Sequence, residues 1–103
     1  MINKSILKHH KGHKLKEEEI YGAYKIFLGT LVSEPRLKII NMLRGGKKNV
    51  SQISKELKMD QTSVSHNLRR LKTCGFVKSK INKRFRDYAL NEETIKPLME
   101  LID

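Results

Sequence analysis

Apolar positions recur at helical spacing through the middle of the chain and switch to alternation after residue 75. Ile53 and Leu57 lie four apart, and Val64, Leu68 and Leu71 follow at i, i+4 and i+7. Two short helices therefore each turn one stripe toward a core. Ser51 suits the N-cap of the first helix. Lys58-Met59-Asp60 makes the turn, and Asp60 can cap the second helix by accepting from the amide of Thr62 or Ser63. Gly75 can take positive φ past the helix end, and Phe76 supplies the hydrophobic contact beyond it. The spacing predicts a helix-turn-helix over residues 51–74.

At 100° per residue, Thr62, His66, Arg69 and Thr73 point away from that core, with Gln61, Ser65 and Arg70 beside them. From residue 61 to 75 there are three basic side chains (Arg69, Arg70 and Lys72) and no acidic one. Solvated surface helices generally mix signs. Amide, hydroxyl, imidazole and guanidinium groups on a helix held from behind are the chemistry that reads a major groove.

The flanks extend the pattern. Residues 16–32 read as a helix with Glu17, Glu18 and Glu19 at its positive end. Its broad apolar stripe comprises Ile20, Tyr24, Phe27, Leu28 and Leu31, flanked by the small Ala23 and Gly29. Ser33 or Glu34 starts the next helix, with Pro35 tolerated in its first turn. Leu37, Ile40 and Leu43 form its apolar flank, broadened by Ile39 and Met42, and Gly45-Gly46 breaks it. Asn49-Val50 is read as a short extended bridge.

After Gly75, Val77, Ser79 and Ile81 alternate with Lys78 and Lys80, and residues 84–90 form a second strand. Asn82-Lys83 is the expected turn. A hairpin with a basic tip, directly after such a helix pair, is a wing spanning residues 76–90. Residues 91–103 form a last helix capped by Asn91, with Glu92 and Glu93 in its first turn and Pro97 interrupting it. Ile95, Leu98, Met99, Leu101 and Ile102 need a partner surface. The expected fold is mainly α with a small β-hairpin, a winged helix-turn-helix made dimeric through its N- and C-terminal helices. The seam would comprise Ile20, Tyr24, Phe27, Leu28, Leu31, Leu98, Leu101 and Ile102, holding two such helix pairs about 34 Å apart.

At 103 residues the chain fits one domain, residues 17–103, preceded by a basic arm over residues 1–16. A hydrophobic content of 38% is low for a self-sufficient monomer, in keeping with a core completed by a partner. The formal net charge of +11 makes a polyanion the default partner. That charge is gathered in places. Residues 1–16 carry five lysines and no acid, and residues 76–88 carry five basic side chains against Asp87, whereas residues 89–103 are net acidic. On the wing and beside it, Arg70, Lys72, Lys78, Lys80, Lys83, Arg84 and Arg86 are the candidate phosphate contacts. No apolar run is long enough to span a membrane and no signal-peptide core follows the N-terminus, so no membrane association is expected. A single cysteine, Cys74, excludes an intramolecular disulfide and fits a cytoplasmic setting.

The order of elements, with SEPRLKIINML ahead of QTSVSHNLRRLKTCGFV, resembles the ArsR/SmtB family of winged helix-turn-helix repressors across roughly residues 30–90. The resemblance implies a homodimer on double-stranded DNA at an inverted-repeat operator, usually a repressor released by a ligand. Carried over by position, the base-reading residues are Gln61, Thr62, Ser63, Ser65, His66 and Arg69. Metal-sensing members place a Cys-Val-Cys pair where this chain has Asn49 and Ser51, and they use histidines on a last helix that here has none. The resemblance is therefore to members without metal response, and no metal or other cofactor is expected.

Two other readings follow from the residues. A basic arm and wing also suit an architectural DNA-binding protein without sequence preference. His9, His10 and His13 have helical spacing for a metal-responsive sensor, against crowding by Lys8, Lys11 and Lys14. Cys74 is expected to pack as a small apolar residue, with an intersubunit disulfide as the alternative. An enzyme is not expected. No paired carboxylates or phosphate-binding glycine loop occur, and Ser65 and His66 diverge by about 100° on a helix.

Overall fold

The computed structural model describes residues 16–102, without the side chain of Ile102. Residues 1–15 of the basic arm, with its three histidines, lie outside the described residues. The elements run α1 (Glu17–Leu31), α2 (Glu34–Leu43), α3 (Val50–Leu57), α4 (Gln61–Thr73), β1 (Val77–Asn82), β2 (Phe85–Leu90) and α5 (Glu92–Ile102). This is the expected winged helix-turn-helix order. Helices α2, α3 and α4 pack on one another, the hairpin joins α4 and α2, and α1 lies against α2.

The helical stripes define the core. Ile39, Ile40 and Leu43 of α2, Ile53 of α3, and Val64, Leu68 and Leu71 of α4 are buried together with Phe76, Val77 and Ile95. Leu37, expected on the apolar flank of α2, is instead exposed, because the buried arc is centred on Ile39 and Ile40. Phe27 also departs from its expected place at a subunit seam. Its ring meets Phe76 at a centroid distance of 4.9 Å inside the domain's own core. The apolar arc of α1 is wide enough to serve two directions: Ala23, Phe27 and Thr30 face inward, while Tyr24 and Leu28 remain exposed.

Helix ends are closed by specific groups. Ser33 caps α2 through its Oγ, which accepts from the amide of Arg36. The N-cap of α3 is Asn49 rather than Ser51, and its backbone pairs with nothing strand-like. Its Oδ1 accepts from the Gln52 amide at 2.9 Å, and Gln52 Oε1 accepts from the Asn49 amide at 2.8 Å. This reciprocal box satisfies two donors at once. Asn49→Ala should cost about 0.5–2 kcal/mol in urea unfolding, and Asn49→Ser should recover most of it. The strand-like bridge falls one residue earlier, where Lys48 and Tyr88 exchange backbone bonds of 3.0 and 2.8 Å along the outer edge of β2.

Lys58 closes α3 in the left-handed region at φ 54°. Asp60 Oδ1 then caps α4 by accepting from the Ser63 amide at 2.7 Å. At the other end of α4, Gly75 sits at φ 81°. The Phe76 amide reaches the Leu71 carbonyl at 2.8 Å and the Gly75 amide reaches Lys72 at 2.9 Å. These two bonds form a Schellman closure.

The hairpin pairs Val77 with Leu90 through to Asn82 with Phe85. Its turn is therefore Lys83-Arg84, one residue later than expected, with Lys83 taking φ 59°. Helix α5 continues through Pro97 instead of breaking there. Asn91 ties its start to the end of α4. The Asn91 amide donates to the Phe76 carbonyl at 2.9 Å and its side chain to the Gly75 carbonyl at 2.8 Å.

Candidate nucleic-acid interface

Helix α4 is held from behind and open in front. Val64, Leu68 and Leu71 are each 0% exposed, whereas Gln61, Thr62, His66, Arg69, Arg70, Lys72 and Thr73 face solvent. Ser63 and Ser65 are half-buried on the two shoulders of that face. Gln61 leans toward α3, with its Nε2 3.5 Å from Ser51 Oγ. The exposed surface of the helix carries three cations and no anion, and it has hydroxyl, amide and imidazole groups of both hydrogen-bonding senses. Such a surface can pair with phosphate oxygens and base edges alike.

The candidate phosphate contacts do not share one surface. Residue pairs opposite each other across the hairpin show that Lys78 and Lys80 project from the face of Ala89 and Asp87, while Arg86 projects from the opposite one. Strand alternation enforces this division. Arg86 is also engaged, its Nη1 donating to Ser79 Oγ at 3.0 Å. Lys83 and Arg84 are exposed at the tip, next to Ile81 and Phe85. Lys47, Lys78 and Lys80 line a hollow of about 540 Å³ with Asn82, Asp87 and Ala89. A second hollow of about 480 Å³ lies beside α4, between Arg36, His66, Asn67, Arg69, Arg70 and Thr73.

Arg70 is exposed, but one of its nitrogens is already engaged. Its Nε donates to Thr30 Oγ1 at 3.1 Å, which ties the base of the guanidinium to α1 and leaves its two Nη groups toward solvent. Periodicity also gives no sign of Arg36, Asn67 and Thr30, which join α1, α2 and α4 beneath this surface. The signal for Arg36 lay in a question the sequence permits: which donors close the last carbonyls of α1? Cys74 packs as a small buried residue, with Sγ 3.0 Å from Thr30 Oγ1.

The seam candidates divide. Tyr24 and Leu28 are about half exposed and Leu101 is 85% exposed, whereas Ile20, Leu31 and Leu98 are half-buried. Tyr21 extends the outer stripe of α1. The hydrogen bond from its hydroxyl to Glu17, 2.6 Å long, raises its pKa above the ordinary tyrosine value. Among the described residues no group of three or more His, Cys, Asp and Glu could hold a metal ion. No described helix is long and apolar enough to cross a membrane.

The model of the bacterial regulatory protein arsR family matches residues 33–79, from the cap of α2 into β1. An uncharacterized HTH-type transcriptional regulator of Methanocaldococcus jannaschii is 33% identical over 69 residues, covering 66% of this chain and 78% of that protein. The chain belongs to the ArsR family. Among solved structures, reduced HlyU from Vibrio cholerae is 28% identical with a TM-score of 0.71, over 85% of this chain and 94% of that one. A Mycobacterium bovis fragment described as a homodimeric winged helix-turn-helix DNA-binding domain, possibly of an ArsR-family regulator, has a TM-score of 0.76. It is 24% identical over 88% of this chain and 84% of that one, a likeness of fold. Family and fold are thus those of transcriptional regulators rather than enzymes.

Proposed function

We propose that this ArsR-family chain is a sequence-specific regulator that binds double-stranded DNA as a homodimer, acts as a repressor, and needs no metal. The observation that carries the reading is the outer face of α4. Thr62, His66 and Arg69 stand exposed over three fully buried apolar residues, on a helix without an acid. Inserted in a major groove, Arg69 would pair with guanine O6 and N7, and Gln61 with adenine N6 and N7. Thr62, Ser63, Ser65 and His66 would complete base and backbone contacts near the helix start. Residues 17–103 would be the binding domain, and residues 1–16 an arm adding phosphate contacts. The exposed stripe of Tyr24 and Leu28 on α1, with Leu101 on α5, is where a second copy would sit. The homodimer named for the Mycobacterium bovis fragment supports that assembly.

Selection of bound duplexes from a randomised pool, followed by titration at fixed salt, tests specificity. A preferred duplex bound about 10³-fold or more above random DNA agrees with the reading. Equal affinity for all duplexes favours the architectural alternative, to which the basic hollow of the wing, away from α4, lends weight. Lys83→Ala or Arg84→Ala should weaken every duplex alike and lower the salt slope by about one unit. Adding Zn²⁺ or Ni²⁺ should change neither duplex affinity nor melting temperature. A shift in either would instead favour sensing through His9, His10 and His13.

A further inference from the structure

The C-terminal end of α1 is closed by a neighbouring helix as well as by its own chain. Val32 and Ser33 amides satisfy the carbonyls of Leu28 and Leu31 at 3.0 and 2.9 Å. The two carbonyls between them are taken by Arg36 of α2. Its Nε donates to Thr30 at 2.7 Å and its Nη2 to Gly29 at 3.4 Å. A guanidinium there also complements the negative end of the α1 dipole. The third nitrogen, Nη1, donates to Asn67 Oδ1 of α4 at 3.2 Å, and Asn67 Nδ2 is anchored on the Ser63 carbonyl at 2.9 Å.

Helix α4 answers from the same side. Arg70 Nε and Cys74 Sγ both meet the Thr30 hydroxyl, which is wholly buried. Asn67, Arg70 and Cys74 are spaced three and four apart, so one edge of α4 is fastened along the last turn of α1. Val64, Leu68 and Leu71 supply adhesion to the core, but apolar contact is non-directional. Hydrogen bonds have narrow angular preferences. A planar fork that spans three acceptors on two helices therefore adds a fixed angle, which a lysine cannot supply.

We propose that Arg36, Thr30, Asn67 and Arg70 form a latch that sets the angle of α4 to α1, with Arg36 as a positioning residue for recognition. The functional half rests on the DNA-binding dimer proposed above. If α1 carries the subunit seam, its angle to α4 in each protomer fixes the separation of the two groove-entering helices. From Arg70 to Gln61 is about 14 Å of helix, so a tilt of about 10° moves the leading end by about 2 Å. That displacement is enough to lose a hydrogen bond to a base edge. The latch thus selects half-site spacing without touching DNA.

The test uses the full chain with Arg36→Lys, Asn67→Leu and the double variant. Arg36→Lys keeps the charge at the end of α1 and removes the fork. Residual dipolar couplings of backbone amides report the orientation of α4 relative to α1 in the free protein. The wild type should fit one alignment for both helices, and each variant should show a separate, reduced order for α4, with the double variant no worse than either single one. On DNA, the preference for the selected duplex over one with two base pairs added between half-sites should fall about fivefold. Random-duplex affinity should stay within about twofold, since phosphate contacts are untouched. Unchanged couplings overturn the latch. So does a parallel loss of affinity for every duplex together with a lowered melting temperature, which marks a merely structural role. If the wild type binds no duplex, the regulator reading fails with the spacing claim, and the couplings still decide the latch.

Discussion

Phe76→Ala should destabilise the domain by about 3–5 kcal/mol in urea unfolding. The residue is 1% exposed and joins four elements through its ring and its backbone. Its ring packs on Phe27 of α1 and its amide closes the end of α4 on Leu71. Its carbonyl accepts from Asn91 at the head of α5, and Val77 follows it directly into β1. Truncation leaves a cavity that no single element can collapse into, because each is fixed by backbone bonds on either side. Domains of this kind have about 5–15 kcal/mol in total, so the variant should be partly unfolded near 37 °C. Phe85, at the exposed tip of the hairpin, is the control: Phe85→Ala should change stability by less than about 0.5 kcal/mol.

Arg69→Ala should cost about 1–3 kcal/mol on the preferred duplex, or roughly 5- to 150-fold in affinity, and relax the preference at one base position. Arg69 is exposed on the outward face of α4 and has a full guanidinium fork to offer. Arg70, one residue on, makes the useful contrast. Its Nε is already given to Thr30, so Arg70→Ala should lower stability and act less selectively among duplexes. Competition titrations over single-base variants of the selected duplex separate these cases. Equal, sequence-independent losses for Arg69→Ala and Lys83→Ala would contradict the division between base contacts and phosphate contacts.

What the sequence made legible was local and periodic. Val64, Leu68 and Leu71 are buried as their spacing requires, and Asp60 caps α4 because a short acceptor stands just ahead of the helix. The Schellman closure at Gly75 and Phe76 was likewise readable from residue type and place. Errors arose where two local options were nearly equal. Asn49 and Ser51 are both good caps, and the Gln three residues after Asn49 decides between them by closing the reciprocal box. Asn82 accepts positive φ more readily than Lys83, yet the register of the hairpin puts the turn one residue later.

Other features depend on tertiary neighbours that periodicity cannot name. An apolar arc on α1 shows that partners are needed, but it does not divide Phe27 from Tyr24. The bond from Arg36 to Asn67 crosses 31 positions in sequence and joins polar residues that leave no hydrophobic signature. The sorting of basic residues to opposite faces of the wing follows from alternation, and needed only the register. Residues 1–15, which hold most of the basic arm and the three spaced histidines, lie outside the described residues.

The most direct measurement is a titration of one labelled duplex, taken from the randomised selection, at about 0.15 M salt where the Debye length is about 8 Å. The wild-type chain is compared with one in which Thr62, His66 and Arg69 are all alanine. The wild type should bind tightly, and the triple variant should keep its fold by circular dichroism with affinity reduced to that for random DNA. A folded triple variant that still prefers the selected duplex would contradict base reading by these three side chains.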